Sequence, residues 1–273
     1  MNTRRITFTT AAVALAIAGS AAAQTAAPRT AAGLPDLSGL WGGPAGEEDI
    51  STIIISRRCA PSQFECTEQT NQALDQEFTG RADPNRPLYK PEFWDKVQYL
   101  DMNTNKEDPL FACQPYGVPR GGPPAKIVQT KDEIIFLNRS GGATTQPADY
   151  RVIPIDGRAH DPVRAIDVTF YGDSVGKWEG DTLVIDSVGF NDLTWLARGG
   201  YFHSDQMHIV EKLSREGDTL VYQVTVDDPG VLVHPWVMDP IRVKLNTSPK
   251  AYLPEYEPCK DYDHENMSSQ IRH

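Results

Sequence analysis

Side chains suited to proton transfer are concentrated in the second half of the chain, between Asp156 and Trp236. Histidines in this stretch matter because the imidazole pKa lies near neutrality, so the ring can accept or donate a proton at physiological pH. His203 is near Asp205 in sequence and could also face Asp186 across the rim of a sheet. Either aspartate would give an oriented histidine–carboxylate pair. A single histidine is more often a surface or structural residue, so such a role needs a partner.

Alternation along Met207–Leu213 separates two candidate residues. In a strand, Glu211 shares a face with Met207, Ile209 and Leu213, whereas His208 points to the other face. If the apolar face is buried, burial would raise the pKa of Glu211 and suit it to acid–base chemistry. The competing interpretation is an ion pair between Glu211 and either Arg151 or Arg242.

The same reasoning gives a second carboxylate, because Asp186 shares a face with Val184 and Val188 in the predicted strand Thr182–Val188. Tyr171 is a candidate donor to developing negative charge. The connection Gly189–Gln206 is long for a hairpin loop and could form an active-site flap. Candidate substrate-binding residues are His160, Asn191, Trp195 and Trp236.

Three functions follow from these residues. The favoured hypothesis is a cofactor-independent acid–base enzyme, a lyase, hydratase or isomerase acting on a small ring-containing substrate, with catalytic residues Tyr171, Asp186, His203, His208 and Glu211. An alternative is a binding protein for a small apolar ligand, with Glu211 paired and the histidines outside. A second alternative is a metal-dependent hydrolase or lyase in which His203, His208 and Glu211 bind a divalent metal, although their spacing matches no familiar metal motif.

Strand patterns begin at about Lys126. The hexapeptide Glu-Gly-Asp-Thr-Leu-Val occurs at 179–184 and again at 216–221, and Gly-Asp between strand-forming residues predicts a tight hairpin turn. Predicted strands are 127–130, 134–138, 150–155, 166–171, 182–188, 207–214, 219–227 and 231–245, after a first strand at 37–41. We therefore predict a mainly β fold, an antiparallel up-and-down, lipocalin-like barrel with short N-terminal helices and long loops.

The N-terminus predicts export. Arg4 and Arg5 precede a short apolar core, and Ala21-Ala22-Ala23 offers a cleavage site, so residues 1–23 are predicted to be a signal peptide and the protein periplasmic or secreted. Residues 24–36 are predicted to be a flexible lead-in, and 37–273 a single domain containing a helical or irregular insertion at 47–108. Within that insertion, 67–77 and 91–100 are predicted helices.

Four cysteines in an exported chain predict two disulfides. Cys59 and Cys66 are close enough for a local bridge, which leaves Cys113 and Cys259 to join the start of the β-region to the C-terminal tail. A zinc site is disfavoured because no Cys-x-x-Cys pair occurs.

The composition of the 273 residues excludes several partners. The formal charge is −11, from 26 basic and 37 acidic side chains, and the pI is about 5.0. Nucleic-acid binding is not expected without a basic stripe, and no segment after the signal peptide is apolar enough to span a membrane. A small molecule is the expected partner.

Several sequence blocks resemble a known family. They include Cys113-Gln-Pro-Tyr-Gly-Val-Pro-Arg120, Gly172-Asp-Ser-Val-Gly-Lys-Trp-Glu-Gly-Asp-Thr-Leu-Val184 and His203-Ser-Asp-Gln-Met-His-Ile-Val-Glu211. Together they resemble a large family of exported proteobacterial and acidobacterial proteins, most without an assigned activity. Gly39-Leu-Trp41 is similar to the Gly-x-Trp of the first strand of lipocalin-like barrels. The resemblance implies fold and location; Phe170-Tyr171-Gly172-Asp173 departs from the usual family pattern, which implies a substrate of its own.

Overall fold

A computed structural model describes residues 27–42, 86–138, 150–197 and 199–253. Within these ranges the protein is mainly β, with antiparallel sheets, as the sequence predicts. The predicted signal peptide, the predicted helix 67–77 and Cys59, Cys66 and Cys259 lie outside the described residues.

Twelve strands occur in the described part of the chain. They are β1 Gly39–Leu40, β2 Lys126–Gln129, β3 Glu133–Leu137, β4 Tyr150–Pro154, β5 Asp173–Glu179, β6 Thr182–Val188, β7 Trp195–Ala197, β8 Tyr201–Phe202, β9 His208–Glu216, β10 Thr219–Asp227, β11 Trp236–Val237 and β12 Ile241–Lys244. The helices are α1 Trp94–Met102 and α2 Thr104–Glu107, with 3-10 turns at Pro91–Phe93 and Pro109–Ala112.

The larger sheet has the strand order β11-β10-β9-β6-β5, and β12 also pairs with β10. Its two hairpins, β5–β6 and β9–β10, turn at the repeated Gly-Asp. Gly180 and Gly217 have φ of +60° and +58°, values that glycine adopts without the steric cost paid by other residues. The turn chemistry predicted from the hexapeptide is therefore confirmed.

The smaller sheet has the order β1-β2-β3-β4. Its apolar face packs with that of the larger sheet in one core, to which Ile127, Phe136 and Ile153 contribute from the smaller sheet. Two contacts join the sheets at their edges: β4 runs beside β5, and Trp41 forms an isolated bridge with Leu245 just after β12. No closed barrel is found in the described residues, and barrel closure stays a prediction.

The segment before β2 contains the helix predicted at 91–100, observed as the 3-10 turn and α1. Phe93, Trp94 and Val97 pack against the core from this segment. Proline at the start suits an N-terminal position, because the N–H that proline lacks would have no partner there. No helix in the described ranges is long and apolar enough to cross a membrane.

Two predicted strands are wrong in detail. The stretch 166–171 is not a strand, because the chain turns over Asp161–Asp167, where Val163 and Asp161 carbonyls accept the N–H groups of Asp167 and Ala165. Only Thr169 forms an isolated bridge, with Phe190. The predicted strand 231–245 is broken into β11 and β12, as expected where Pro235 and Pro240 lack the N–H needed for strand pairing.

Gly172, directly before β5, predicts a measurable effect on stability. Its φ is +65°, and an added Cβ would lie 2.3 Å from the carbonyl oxygen of Val188. Gly180 has a similar φ and open space around its Cα. We expect Gly172→Ala to reduce the free energy of unfolding by about 1–3 kcal/mol more than Gly180→Ala does. Equal losses in urea denaturation would contradict this account of the start of β5.

Candidate functional site

Four titratable side chains meet on the solvent-facing side of the larger sheet, here called the outer face. Nδ1 of His160 lies 2.8 Å from Oδ2 of Asp173, and its Nε2 lies 2.9 Å from Oδ1 of Asp186. The second oxygen of Asp186, Oδ2, lies 3.0 Å from Nε2 of His208. The result is a continuous chain, Asp173–His160–Asp186–His208, which we call the outer cluster.

Strand register explains how three members come together. Asp186 of β6 lies opposite Val210 of β9, and His208 is two residues from Val210, so Asp186 and His208 are diagonal neighbours on one face. Asp173 of β5 lies opposite Val188, two residues from Asp186, and is diagonal to it on the other side. Diagonal neighbours in a sheet are within reach of long side chains.

His160 comes from the connection between β4 and β5. The N–H of Asp161 donates to Asp173 Oδ2 at 3.1 Å, which ties this connection to the start of β5. The carboxylate of Asp161 in turn accepts the N–H of Val163 at 2.8 Å. These bonds lay the connection over the sheet, so that the imidazole of His160 enters between the two carboxylates.

The electrostatics of the outer cluster favour a protonated imidazole beside an ionised carboxylate. Partial burial opposes the charge on His160, but hydrogen bonds to Asp186 and Asp173 outweigh it and raise the pKa of His160. Partial burial likewise opposes the charge on Asp186, and the hydrogen bonds from His160 and His208 lower the pKa of that carboxyl overall. The arrangement can therefore hold a proton on an imidazole and stabilise it with negative charge.

His208 is the member of the outer cluster best placed to meet a substrate. Its side chain is 40% exposed, compared with 25% for His160 and 8% for Asp173. Asp186 is 43% exposed, but both of its oxygens are already bonded to imidazoles. Among the described residues only its Nε2 is hydrogen bonded, to Asp186, and Nδ1 has no such partner. A carboxylate on one ring nitrogen of a partly exposed imidazole is the arrangement of an oriented acid–base histidine.

Glu211 lies on the opposite, inner face of the same sheet. Its side chain is 1% exposed, in an alternating burial pattern with Ile209 and Leu213. Arg151 of β4 pairs with it, with Nη2 of the arginine 2.7 Å from Oε2 and Nη1 3.0 Å from Oε1. The predicted inward orientation of Glu211 is confirmed, and of the two arginines considered as partners Arg151 is the one observed, because Arg242 pairs with Glu216.

Three hydroxyl groups complete the buried network around this pair. Tyr222 donates to Oε1 of Glu211 at 2.8 Å, and burial together with the adjacent carboxylate raises the pKa of Tyr222 well above its ordinary value. Nη2 of Arg151 also donates to Oγ of Ser174 at 2.9 Å and of Ser187 at 3.2 Å. We call these five side chains the inner network.

His203 belongs to neither group. It is 2% exposed, its Nε2 lies 2.8 Å from Oγ1 of Thr194, and its Nδ1 lies 3.1 Å from the carbonyl oxygen of Ser204. Burial lowers its pKa. Both ring nitrogens are thus used within its own loop, and the structure does not bring His203 together with His208 or Glu211.

The other predicted site residues are dispersed. Trp195 is buried with its ring centre 5.7 Å from the guanidinium carbon of Arg120, and Trp236 is buried in the core. Tyr171 packs partly against the core. The side chain of Asn191 accepts the N–H of Leu193 at 3.1 Å, closing a turn in its own loop.

No group of three or more histidine, cysteine, aspartate or glutamate side chains in the described ranges is arranged to hold a metal ion. This includes His203, His208 and Glu211, which are separated as described above. The disulfide pairings predicted from sequence both involve residues outside those ranges and stay predictions.

Asp173 is the member of the outer cluster that sequence reasoning missed. Its strand, β5, is absent from the predicted set because Gly176 and Lys177 interrupt an apolar pattern. The predicted hairpin turn could have revealed it. If the residues on either side of Gly180-Asp181 are paired outward from the turn, Asp173 comes to lie opposite Val188. The sequence suggests His160 only as a substrate-binding residue. Its hydrogen bond to Asp186 is not predictable, because His160 lies in a connection of irregular backbone with no periodic pattern.

The two histidines with shifted pKa values should affect stability with opposite pH dependence. A raised pKa makes His160 most stabilising below about pH 6.5, and this contribution is lost as the pH rises through its folded-state pKa. A lowered pKa has the opposite effect for His203, whose contribution is lost as the pH falls below about 6.5. Thermal unfolding at pH 5.5 and 7.5 should therefore show His160→Gln more damaging at the lower pH and His203→Gln more damaging at the higher. The same sign for both would contradict these environments.

Comparisons of the chain with known proteins give no match: no family model fits it, and neither a curated protein nor a solved structure is significantly similar.

Proposed function

We propose that the protein is an acid–base enzyme that needs no organic cofactor, with its reaction centre at the outer cluster. The observation that carries the proposal is the single carboxylate of Asp186 bonded to two imidazoles, His160 and His208. In this role His208 exchanges a proton with the substrate, Asp186 orients its ring and stabilises its charge, and His160 holds the far side of Asp186.

The reaction class follows from the groups present. An imidazole that transfers protons, with no nucleophile bonded to it among the described residues, suits elimination, hydration or isomerisation, in which a C–H or O–H bond is broken or formed. The partial exposure of His208 allows a substrate to approach it from solvent. A ring-containing substrate and membership of the exported family remain part of the proposal, on the sequence grounds given above.

We also infer that the fold is a lipocalin-like barrel and that the protein is exported to the periplasm or secreted. The bridge between Trp41 and Leu245 and the closeness of β4 to β5 support closure, because they connect both edges of the two sheets. The signal-peptide pattern of residues 1–23 supports export.

A conversion screen tests the catalytic proposal. Purified protein is incubated with a panel of ring-containing small molecules, and mass spectrometry follows gain or loss of water or a new isomer. We expect at least one compound to be converted by the native protein and not by Asp186→Asn. Conversion at equal rates by both proteins would contradict the assigned centre.

A second candidate function is binding of a small apolar ligand without chemistry. The observation favouring it is that Glu211 is paired with Arg151 while His160 and His208 lie on the other face of the sheet. His203, which that hypothesis also places outside, is instead buried in its own loop. Native mass spectrometry of protein purified under mild conditions distinguishes the two. An unaltered small molecule released on denaturation supports binding, whereas a bare protein that converts a screen compound supports catalysis.

A further inference from the structure

The inner network and the outer cluster are built on adjacent residues of the same strands. Ser174 follows Asp173 in β5, and Ser187 follows Asp186 in β6. Successive residues of a strand point to opposite faces, so the serines lie on the inner face and the aspartates on the outer face, where His160 lies against Asp173. Ser174 and Ser187 are also direct partners across the two strands, with their Oγ atoms 2.8 Å apart.

Arg151 contacts both serines from a third strand. One of its nitrogens, Nη2, donates to Ser174 and Ser187, while the guanidinium is anchored by Glu211 of β9. The side chain is 6% exposed and lies over the ring of Phe136, 5.9 Å from its centre. A single rigid group thereby joins β4 to the three strands that carry Asp173, Asp186 and His208.

The geometry of the outer cluster is sensitive to the spacing of these strands. His160 is bonded at both nitrogens, at 2.8 and 2.9 Å, to carboxylates on different strands. A small change in the separation of Asp173 and Asp186 would break one of the two bonds, because hydrogen bonds weaken over a few tenths of an ångström. The contacts that set the separation of β5 and β6 therefore also determine whether His160 keeps both hydrogen bonds.

We propose that Arg151 is a positioning residue for the outer cluster, which holds Ser174 and Ser187 from the inner face and so sets the distance between Asp173 and Asp186. Buried ion pairs often add little net stability compared with apolar replacements. Setting the distance between Asp173 and Asp186 would give the inner network a function in addition to its contribution to stability. The importance of this positioning for turnover depends on the proposed function, but its geometric basis does not.

Other charges around His160 must be accounted for in any test. They include Asp161 in its own connection and, on the outer face, Asp173, Lys177 and Glu179 of β5, Asp186 of β6, His208 and Lys212 of β9, and Asp227 of β10. None of them is changed by substitutions in the inner network. A change in the titration of His160 would then report altered geometry rather than altered surface charge.

The experiment is an NMR pH titration of the His160 ring in full-length protein. The variants are Arg151→Met with Glu211→Leu, which removes the pair without leaving a buried charge, and Ser174→Ala with Ser187→Ala, which retains the pair. The control is Arg215→Met, which removes a buried arginine of a different strand, β9, where its side chain donates to the carbonyls of Gly217 and Asp36. The Arg215 side chain is 4% exposed.

We expect the His160 midpoint to fall by about half a pH unit or more in both double variants and to stay at the native value in the control. A purely structural role would lower the melting temperature and leave the midpoint unchanged. A native midpoint in the folded serine variant would overturn the proposal, even if the arginine variant does not fold. Because this readout involves no substrate, it is independent of whether the catalytic proposal is right.

Discussion

Replacing Asp186 with asparagine is expected to lower turnover about 10²–10⁴-fold, the usual range for loss of positioned acid–base catalysis. The carboxylate accepts hydrogen bonds from two imidazoles at once, at 2.9 and 3.0 Å. An amide can accept at its oxygen only and carries no charge to stabilise an imidazolium. Steady-state kinetics on a substrate from the conversion screen measure the effect, which should appear in kcat.

The matched control is Asp181→Asn, in the turn of the same hairpin. Asp181 pairs with Arg29, and both side chains are largely exposed, at 65% and 49%. Neither residue contacts the outer cluster in the described structure, so activity should stay within about twofold of native, since isolated exposed pairs contribute little. Equal losses of activity in both variants would mean that Asp186 supports the structure of the sheet rather than taking part in the chemistry.

Breaking the buried pair by Arg151→Met is expected to reduce the free energy of unfolding by about 3–5 kcal/mol. Among the described residues, the change leaves the buried carboxylate of Glu211 with only the hydroxyl of Tyr222 as a hydrogen-bond donor. Adding Glu211→Leu removes that charge, so the double variant should recover most of the loss. Urea denaturation of the single and double variants measures both steps.

Arg242→Met is the control for loss of an ion pair as such. Arg242 pairs with Glu216 at 2.7 Å, but the two side chains are 54% and 43% exposed. Its loss should cost less than about 1 kcal/mol. If the double variant Arg151→Met with Glu211→Leu is as unstable as Arg151→Met alone, the loss of stability comes from lost packing or hydroxyl contacts rather than from an uncompensated charge.

Where strand alternation and turn chemistry decide the structure, the sequence predicts it well. The bounds of β6 and β10 and the inward orientation of Glu211 follow from period-two patterns. The apolar neighbours of Asp186 mislead, because Val184 and Val188 share its outer face while Leu183 and Ile185 face the core. The two Gly-Asp turns follow from the need for positive φ. These features depend on neighbouring residues alone.

Features that depend on tertiary contacts were not predictable in the same way. His203 resembles a flap residue in sequence, yet Thr194 and Ser204 hold it in the interior. His160 reaches Asp186 across 26 positions only because its connection folds back over the sheet. The sequence offers Arg151 and Arg242 as possible partners of Glu211. Only the packing of β4 against β5 selects Arg151.

Deuterium exchange from solvent into the substrate tests the proposed reaction centre most directly. Native protein and His208→Gln are incubated with a screen substrate in D₂O, and mass spectrometry measures deuterium bound at the reacting carbon. We expect the native protein to introduce deuterium and the variant to lose at least about 100-fold in exchange rate, because His208 is the proton-transferring group. Equal exchange by both proteins, or conversion of the substrate by His208→Gln at the native rate, would contradict acid–base catalysis at the outer cluster.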